Sequence, residues 1–269
     1  MNESTHMPEV GVVSAGEGSV NVVRHLDWEG CFNVRDLGGI PVAGGGAIRG
    51  GAVVRSDNPE RLTSEGWSAL VGHGVRTVVD LRNDDERRED QWDRPAGLTT
   101  VRVPLDDAAD AAFWNYLWDN RLDGSPLYYR VFIERKARQC AAAVAAVARA
   151  RPGGVLVHCG LGRDRTGLVV MLLLALAGVA PADIAADYEL STERLPPLFE
   201  ALGIDDQTEE IRGILASKNT TARAALLGAL DGLDVEAHLR AHGLEDGDLT
   251  ALRSRLVQWV DTGVPVRRR

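Results

Sequence analysis

Cysteine is scarce in this sequence, and the few cysteines lie far apart. Cys31, Cys140 and Cys159 are the three among 269 residues. Their odd number and wide spacing exclude a disulfide framework and the paired cysteines of a structural zinc site. The pattern favours a protein of a reducing compartment.

Long hydrophobic runs are also missing. The longest apolar stretch, Leu168 to Ala177, is well short of the roughly 20 residues that span a bilayer. The N-terminal segment lacks the basic region and apolar stretch of a signal peptide. We therefore predict a cytoplasmic protein without stable membrane insertion, although export without a classical signal leaves no trace in a sequence. Small and polar residues dominate positions 1–24, which we interpret as a flexible N-terminal arm.

Positive charge is in the minority. Lysine and arginine number 30 and acidic residues 39, which gives a formal net charge of −9. This balance excludes non-specific attraction to nucleic acid or to an anionic membrane. An anionic substrate stays compatible, because a small basic pocket can lie in an acidic protein. The hydrophobic content of 45% and the chain length indicate one large domain, which we place at 25–269.

Strand-like and helix-like segments alternate over the first two thirds of the chain. Their patterns predict strands at 75–82, 99–105 and 155–158 and helices at 62–74, 126–150 and 165–177. Glycine-rich residues 25–58 predict antiparallel strands joined by a turn at 44–46. From about residue 181 onward we predict helices and no strand. This order predicts the α/β class, with a mostly parallel central sheet flanked by helices and a helical C-terminal third.

The most informative stretch is VLVHCGLGRDRTG, residues 155–167. It places Cys159 between a β-type run and a glycine-bearing loop, and a helix begins near Arg165. Such a loop at a helix N-terminus forms an anion site, because backbone N–H groups converge there and the helix dipole favours negative charge. The predicted phosphate-binding residues are Gly160, Leu161, Gly162, Arg163, Asp164 and Arg165. The spacing fits neither a nucleotide-triphosphate loop nor a dinucleotide-binding fingerprint.

The same surroundings give Cys159 a chemical role. An electropositive helix N-terminus lowers a thiol pKa from about 8.5 into the range of roughly 3.5 to 7.5, which makes the sulfur a nucleophile. The planar guanidinium of Arg165 can grip two phosphate oxygens, which lysine cannot do. We expect Thr166 to hydrogen-bond the sulfur and improve it as a leaving group. A buried structural cysteine would leave Arg163, Asp164 and Arg165 unexplained.

The stretch HCGLGRDRTG (158–167) resembles the active-site loop of the cysteine-based protein tyrosine phosphatases. It is most similar to the atypical bacterial branch, whose loop reads His-Cys-x-x-Gly-Lys-Asp-Arg-Thr-Gly. Three further segments resemble markers of that branch: NVRDLGG (33–39), VVDLRNDDE (78–86) and ADYELS (186–191). With gaps, the resemblance extends from about residue 25 to the C-terminus. The chain departs at Arg163, where the branch usually has a lysine associated with activity on phosphoinositides.

The resemblance implies a cysteine-phosphatase-like fold and the hydrolysis of phosphomonoesters. Phosphotyrosine is the first expected substrate, with dual or phosphoinositide specificity as the wider reading. Cys159 would attack phosphorus and form a phosphocysteine intermediate, and water would then release phosphate. Arg165 and the loop amides would hold the phosphoryl group. The resemblance implies that the protein needs no metal and no cofactor. It also implies that the protein acts on a phosphorylated protein or a small phosphomonoester.

The sequence leaves open which residue gives a proton to the leaving oxygen. It lacks the Trp-Pro-Asp triplet that carries this acid in classical tyrosine phosphatases. Asp106 and Asp107 follow a predicted strand where the acid-bearing loop would fall, and Asp164 matches the loop aspartate of the atypical branch. We favour Asp164 narrowly, although neighbouring arginines oppose the raised pKa that an acid needs. A solvated loop edge, or a structural ion pair with an arginine, explains the same aspartates without catalysis.

Supporting roles fall to three further residues. We interpret His158 as a residue that orients the loop, and Asp80 and Arg82 as support for the site or as an ordinary strand-end pair. Two other functions fit the loop. A catalytically silent module would bind phosphopeptides without turnover, and a persulfide-forming Cys159 would transfer sulfur. The pairing of Arg165 with Thr166 argues for phosphate rather than for sulfur transfer.

Overall fold

The computed structural model describes residues 24–106 and 109–259. The arm expected at 1–24 lies outside this part except for its last residue. Asp107, one of the proposed acids, also lies outside it. Within the described residues, none of the helices is both long enough and apolar enough to cross a bilayer.

The described chain alternates strands and helices and then becomes almost entirely helical. Its strands are β1 (Arg35–Asp36), β2 (Pro41–Val42), β3 (Gly46–Ile48), β4 (Val53–Ser56), β5 (Val75–Asp80), β6 (Thr99–Arg102), β7 (Gly154–His158) and β8 (Val257–Trp259). Its α-helices are α1 (Ser64–Gly72), α2 (Ala111–Asp119), α3 (Tyr129–Arg135), α4 (Ala137–Ala148), α5 (Asp164–Ala177), α6 (Pro181–Arg194), α7 (Pro196–Leu202), α8 (Thr208–Ser217), α9 (Ala222–Leu230), α10 (Val235–Ala241) and α11 (Asp246–Leu256). This order confirms the predicted α/β class.

The central sheet has five strands in the order β1-β4-β7-β5-β6. Strands β4, β7, β5 and β6 run parallel, and β1 pairs antiparallel with β4 at one edge. The middle strand β7 is buried along its whole length. A strand in a parallel sheet covered on both faces has an apolar, β-branched sequence, and residues 155–158 predicted this strand for that reason.

Alternate residues of β7 face two separate hydrophobic layers. Leu156 packs on one face with Trp67 and Leu70 of α1. Val155 and Val157 belong to the larger layer on the other face, which also holds residues of α4 and α5. This alternation follows from the two-residue period of a strand. Sheet and helices therefore form three layers, and the C-terminal helices α10 and α11 pack on α4 and α5.

The helix predicted at 126–150 is interrupted. A short 3₁₀ turn at Pro126–Tyr128 leads into α3, and the chain leaves the helical region at Lys136 before α4 begins. Lys136 has φ −114° and ψ 34°, and its ammonium lies 2.7 Å from a carboxylate oxygen of Asp110. The residues around Lys136 favour a helix, which is why the sequence predicted a single long one. That prediction is wrong, because the structure has two helices there.

A second correction concerns the C-terminal third. We predicted no strand after residue 181, but β8 pairs antiparallel with β3. The hairpin of β2 and β3, predicted from its glycine turn, thereby becomes a three-stranded sheet. Three residues that directly continue α11 give no separate strand signal, because their pairing partner lies far away in sequence.

Candidate active site

Parallel strands bring the predicted site together at one edge of the central sheet. The last residue of β7, His158, is in register with Ser56 of β4 and with Asp80 of β5. The carboxyl ends of parallel strands meet at the same edge, where α/β proteins place their ligands. Cys159, the next residue, therefore leaves the sheet between the segments that follow β4 and β5.

The loop 159–163 turns sharply from β7 into α5. Gly162 is left-handed with φ +68°, and Arg163 is right-handed with φ −96° and ψ −67°. Such an alternation turns successive N–H groups toward one side and makes a concave nest for an anion. A side chain at position 162 would overlap the backbone of Ser56 and Asp57, so only glycine fits there.

Cys159 is 3% exposed and lies directly after the buried His158. Burial lowers the pKa of His158 to about 4, so its ring is neutral near pH 7. Its Nδ1 is 3.2 Å from the carbonyl oxygen of Cys159, and because a carbonyl oxygen only accepts, Nδ1 carries the proton and donates. His158 thus bonds to the carbonyl group of the cysteine, and its role in orienting the loop stays a prediction.

Asp80 and Arg82 form a buried ion pair beside this histidine. The Nε and Nη2 of Arg82 donate to the two carboxylate oxygens of Asp80 at 2.9 and 2.8 Å. Nη2 also donates to Glu60 at 2.7 Å, and Asp80 Oδ1 is 3.6 Å from Nε2 of His158. The pair therefore contacts His158, the residue that precedes Cys159.

Arg165 is held between two carboxylates. Its Nη1 and Nη2 donate to the two oxygens of Glu86 at 2.5 and 2.6 Å, and Nη1 is 3.0 Å from Oδ2 of Asp106. Burial alone lowers the pKa of Arg165, but Glu86 and the other nearby charges outweigh burial and raise that pKa above its usual value. The guanidinium is permanently charged and presents a fork already matched to a planar pair of oxygens.

The carboxyl group of Asp106 has a raised pKa. Burial raises the pKa of Asp106 to about 6, and the charges of Glu86 and Asp164 act in the same direction, whereas Arg165 opposes them. Its side chain is 16% exposed. A carboxyl group with that pKa is partly protonated near neutral pH.

Asp164 begins α5, and Arg163 binds both of its carboxylate oxygens. The Nε of Arg163 is 3.1 Å from each oxygen, and its Nη2 is 3.0 Å from Oδ2. The hydroxyl of Tyr188 lies 3.5 Å from Oδ1. Arg163 also donates to Gln207 at 3.2 Å. The structural ion pair that the sequence left open for Asp164 is therefore formed.

Thr166 occupies the first turn of α5. It is fully buried, and its hydroxyl makes no hydrogen bond to any residue in the described ranges. The sulfur contact expected for Thr166 thus stays a prediction. Gly160 and Leu161 are half-buried, and Leu161 packs against a small buried cluster that includes Leu198 and Phe199.

Two features of the site have no counterpart in the roles that the sequence suggested. One is Glu86, which ends the marker segment 78–86 and reaches Arg165. The other is Asp187 of α6, whose carboxylate is fully buried and binds Arg24, Arg35 and Arg55. Burial alone raises the pKa of Asp187, but the charges of these arginines hold it well below its usual value. The sequence does contain a sign of this cluster, because Asp187 is an acidic residue on the buried face of an amphipathic helix.

A strand, a cysteine, an amide nest and an arginine at a helix N-terminus together form a place where an oxyanion can bind beside a thiol. The model of the tyrosine phosphatase family matches residues 26–258 of this chain. The chain therefore belongs to that family, which confirms the resemblance seen in the sequence.

Relatives from three bacteria are each 32% identical to this chain. One is a putative tyrosine-protein phosphatase of Cupriavidus necator, matched over 64% of this chain and 64% of its own length. Another is a tyrosine-protein phosphatase of Nostoc commune, matched over 55% of this chain and 51% of its own length. A third is the triple specificity protein phosphatase PtpB of Mycobacterium tuberculosis, matched over 65% of this chain and 71% of its own length. The chain thus spans less than two thirds of the first two relatives.

Proposed function

We propose that this protein is a protein tyrosine phosphatase, a cysteine-dependent hydrolase that works through a phosphocysteine intermediate. The observation that carries the proposal is the placement of Cys159 directly before an amide nest and Arg165 at the N-terminus of α5. A nucleophile, a set of N–H donors and a guanidinium then surround one phosphoryl group. We retain the cytoplasmic location in this proposal on the sequence pattern alone.

The proposed reaction has two displacements at phosphorus. In the first, the thiolate of Cys159 forms a sulfur–phosphorus bond while the bond to the leaving oxygen breaks, and that oxygen takes a proton from a carboxylic acid. In the second, water attacks phosphorus, the sulfur–phosphorus bond breaks, and the proton of the water returns to the carboxylate. Inorganic phosphate leaves, and the thiolate is regenerated. Arg165 and the loop amides stabilise the charge on the non-bridging oxygens throughout.

We propose Asp106 as the proton donor, in place of the Asp164 that the sequence favoured. The raised pKa of Asp106, about 6, supports this assignment, because an acid must hold its proton near the working pH. Its contact with Arg165 supports it too, since Arg165 grips the phosphoryl group. Asp164, in contrast, is bound on both oxygens by Arg163.

Phosphotyrosine is the proposed substrate rather than a phosphoinositide. A phosphoinositide carries additional anionic groups, and a free cation beside the loop would be needed to bind them. The charge of Arg163 is instead compensated by Asp164, and its guanidinium also donates to Gln207. Initial rates on a phosphotyrosyl peptide and on vesicles containing a phosphoinositide test this. Faster turnover of the lipid would contradict the assignment.

The decisive test of the class is turnover of 4-nitrophenyl phosphate in the presence of EDTA. Wild type and Cys140→Ser should hydrolyse it, whereas Cys159→Ser should lose turnover. Cys140 is the matched control, because it is equally buried but belongs to α4. Undiminished activity of Cys159→Ser would overturn the mechanism. Binding of a phosphotyrosyl peptide by wild type without any turnover would instead identify a phosphopeptide-binding module.

A further inference from the structure

The phosphate-binding loop is held from behind through its carbonyl oxygens. Three consecutive carbonyl groups of the loop each accept a hydrogen bond from outside it. The pairs are Asn58 N–H with Gly160 at 3.0 Å, Asn33 Nδ2 with Leu161 at 3.0 Å and Arg55 Nη2 with Gly162 at 2.8 Å. Of the three donors, Asn33 precedes β1, Arg55 belongs to β4 and Asn58 follows β4.

These bonds determine where the loop N–H groups point. In a trans peptide unit, the C=O of one residue and the N–H of the next point in opposite directions. Carbonyl groups fixed toward β1 and β4 therefore direct the next three N–H groups, at 161–163, to the other side. Among the described residues, none accepts a hydrogen bond from these three N–H groups. They are available to an anion.

The two side-chain donors are themselves fixed by buried contacts. The Nη1 of Arg55 donates to Oδ2 of Asp187 at 2.7 Å, so one guanidinium joins that aspartate to the loop. The Oδ1 of Asn33 accepts from Arg35 at 2.7 Å, and Arg35 donates to Asp187 at 3.2 Å. All four side chains are buried, at most 1% exposed. Each donor therefore has a single orientation available.

We propose that Asn33 and Arg55 are positioning residues of the phosphate-binding loop, and that Asp187 fixes the guanidinium of Arg55. They do not touch the phosphoryl group. They act by orienting the two peptide groups whose N–H groups belong to Gly162 and Arg163. The inference rests on the proposed function, because it concerns the loop that would bind the phosphoryl group.

A purely structural role would place the same residues in the same network, so the test needs a matched control. Ser191 provides it. Its hydroxyl accepts from Arg35 at 3.0 Å and from Asn33 at 3.3 Å, but it makes no hydrogen bond to residues 159–163. Ser191→Ala and Asn33→Ala each remove one buried partner of Arg35, and neither changes the net charge. Arg55→Lys also keeps the charge, but a single ammonium cannot reproduce the two-sided fork.

The probe is inorganic tungstate, a tetrahedral oxyanion, titrated into each protein by calorimetry. Thermal unfolding of the same samples reports stability. Loss of an orienting hydrogen bond to the loop should weaken tungstate binding about tenfold in Asn33→Ala and in Arg55→Lys. The tungstate affinity of Ser191→Ala should stay within about twofold of wild type, although its loss of stability is comparable to that of Asn33→Ala. Arg55→Lys supplies the answer if Asn33→Ala does not fold.

Two outcomes would overturn the inference. One is tungstate affinity in Asn33→Ala and Arg55→Lys equal to that of wild type. The other is an equal loss of affinity in Ser191→Ala, which would mean that general loosening of the network is responsible. Failure of the proposed function has a different signature: wild type would bind tungstate and show the same ranking of variants, but hydrolyse no phosphomonoester.

Discussion

Replacing Asp106 by asparagine should separate the chemistry of the leaving group from every other part of the reaction. The asparagine amide occupies nearly the same volume but cannot give up a proton at neutral pH. A substrate with a poor leaving group, such as phenyl phosphate, needs that proton. A substrate with an activated leaving group, such as 2,4-dinitrophenyl phosphate, does not need that proton, because its leaving group departs as a stable anion. The ratio of the two rates therefore isolates proton donation.

The size of the effect follows from the pKa of Asp106, about 6. General acid catalysis contributes about 10²–10⁴-fold when the acid is fully protonated. One pH unit above its pKa, about a tenth of a carboxylic acid is protonated. We therefore expect Asp106→Asn to lose about 100-fold on phenyl phosphate near pH 7 and more near pH 5.5, with little change on 2,4-dinitrophenyl phosphate.

The pH dependence has a definite sign. As pH rises through about 6, Asp106 loses its proton, so the phenyl to dinitrophenyl rate ratio of wild type should fall about tenfold per unit. In Asp106→Asn the ratio should be independent of pH. The measurement is kcat/KM for both substrates between about pH 5 and 8, each corrected for the ionisation of its own phosphate, because ionisation of the thiol cancels in the ratio.

Asp164→Asn is the matched variant for this experiment. It also removes one carboxylate beside an arginine, but one bound by Arg163. We expect the ratio to stay pH-dependent in Asp164→Asn, with its midpoint moved to lower pH because the charge of Asp164 no longer raises the pKa of Asp106. A ratio that becomes flat in Asp164→Asn and stays pH-dependent in Asp106→Asn would refute the assignment and return the acid role to the loop aspartate.

Three further predictions concern the scaffold of the site. Gly162→Ala should cost about 2–4 kcal/mol of unfolding free energy in urea, because alanine meets the Ser56 backbone and a left-handed conformation together. Asp187→Asn should cost about 3–5 kcal/mol, because buried arginines lose their counter-charge. Since those arginines hold the pKa of Asp187 below its usual value, this contribution is complete above about pH 4 and is lost as pH falls below that. Cys140→Ala should keep wild-type kcat, and Cys140 should resist alkylation near pH 7, because burial raises its thiol pKa to about 12.

Each of these predictions has a result that contradicts it. Gly160→Ala is the control for position 162, since a Cβ at Gly160 meets only the far end of Arg165 at 3.9 Å. Equal unfolding free energies of the two alanine variants would show that the Ser56 backbone yields. A wild-type urea midpoint for Asp187→Asn would mean that the arginines are solvated. Rapid alkylation of Cys140 in the native protein would mean that α4 opens.

The sequence predicted the core of the site because its signals there are local. β7, the glycine loop and α5 follow one another within 154–177, and each has its own pattern of apolar, glycine or polar residues. Contacts that depend on distant segments were not predictable. Glu86 meets Arg165 across 79 residues, and no local pattern marks a carboxylate for a particular guanidinium.

The same reasoning explains the two errors in the fold. The break at Lys136 lies in a run of good helix formers without proline or glycine, and an ion pair with Asp110 accompanies it. Strand β8 forms because β3 offers an open edge, a property of the folded hairpin rather than of residues 257–259. Tertiary contacts thus outweighed local propensity at both places.

The arginine cluster on Asp187 also bears on how a charged substrate approaches. Three guanidinium groups against one carboxylate leave an excess of two positive charges under the loop, whereas the whole chain has a formal charge of −9. At physiological ionic strength the screening length is about 8 Å, so the net negative charge of the chain has little effect on a distant anion, and the positive charge at the loop acts only near contact. The charge of the chain therefore gives an anionic ligand no long-range steering, and added salt weakens its final binding. Discrimination between anions then takes place at the loop itself and not during diffusion toward it.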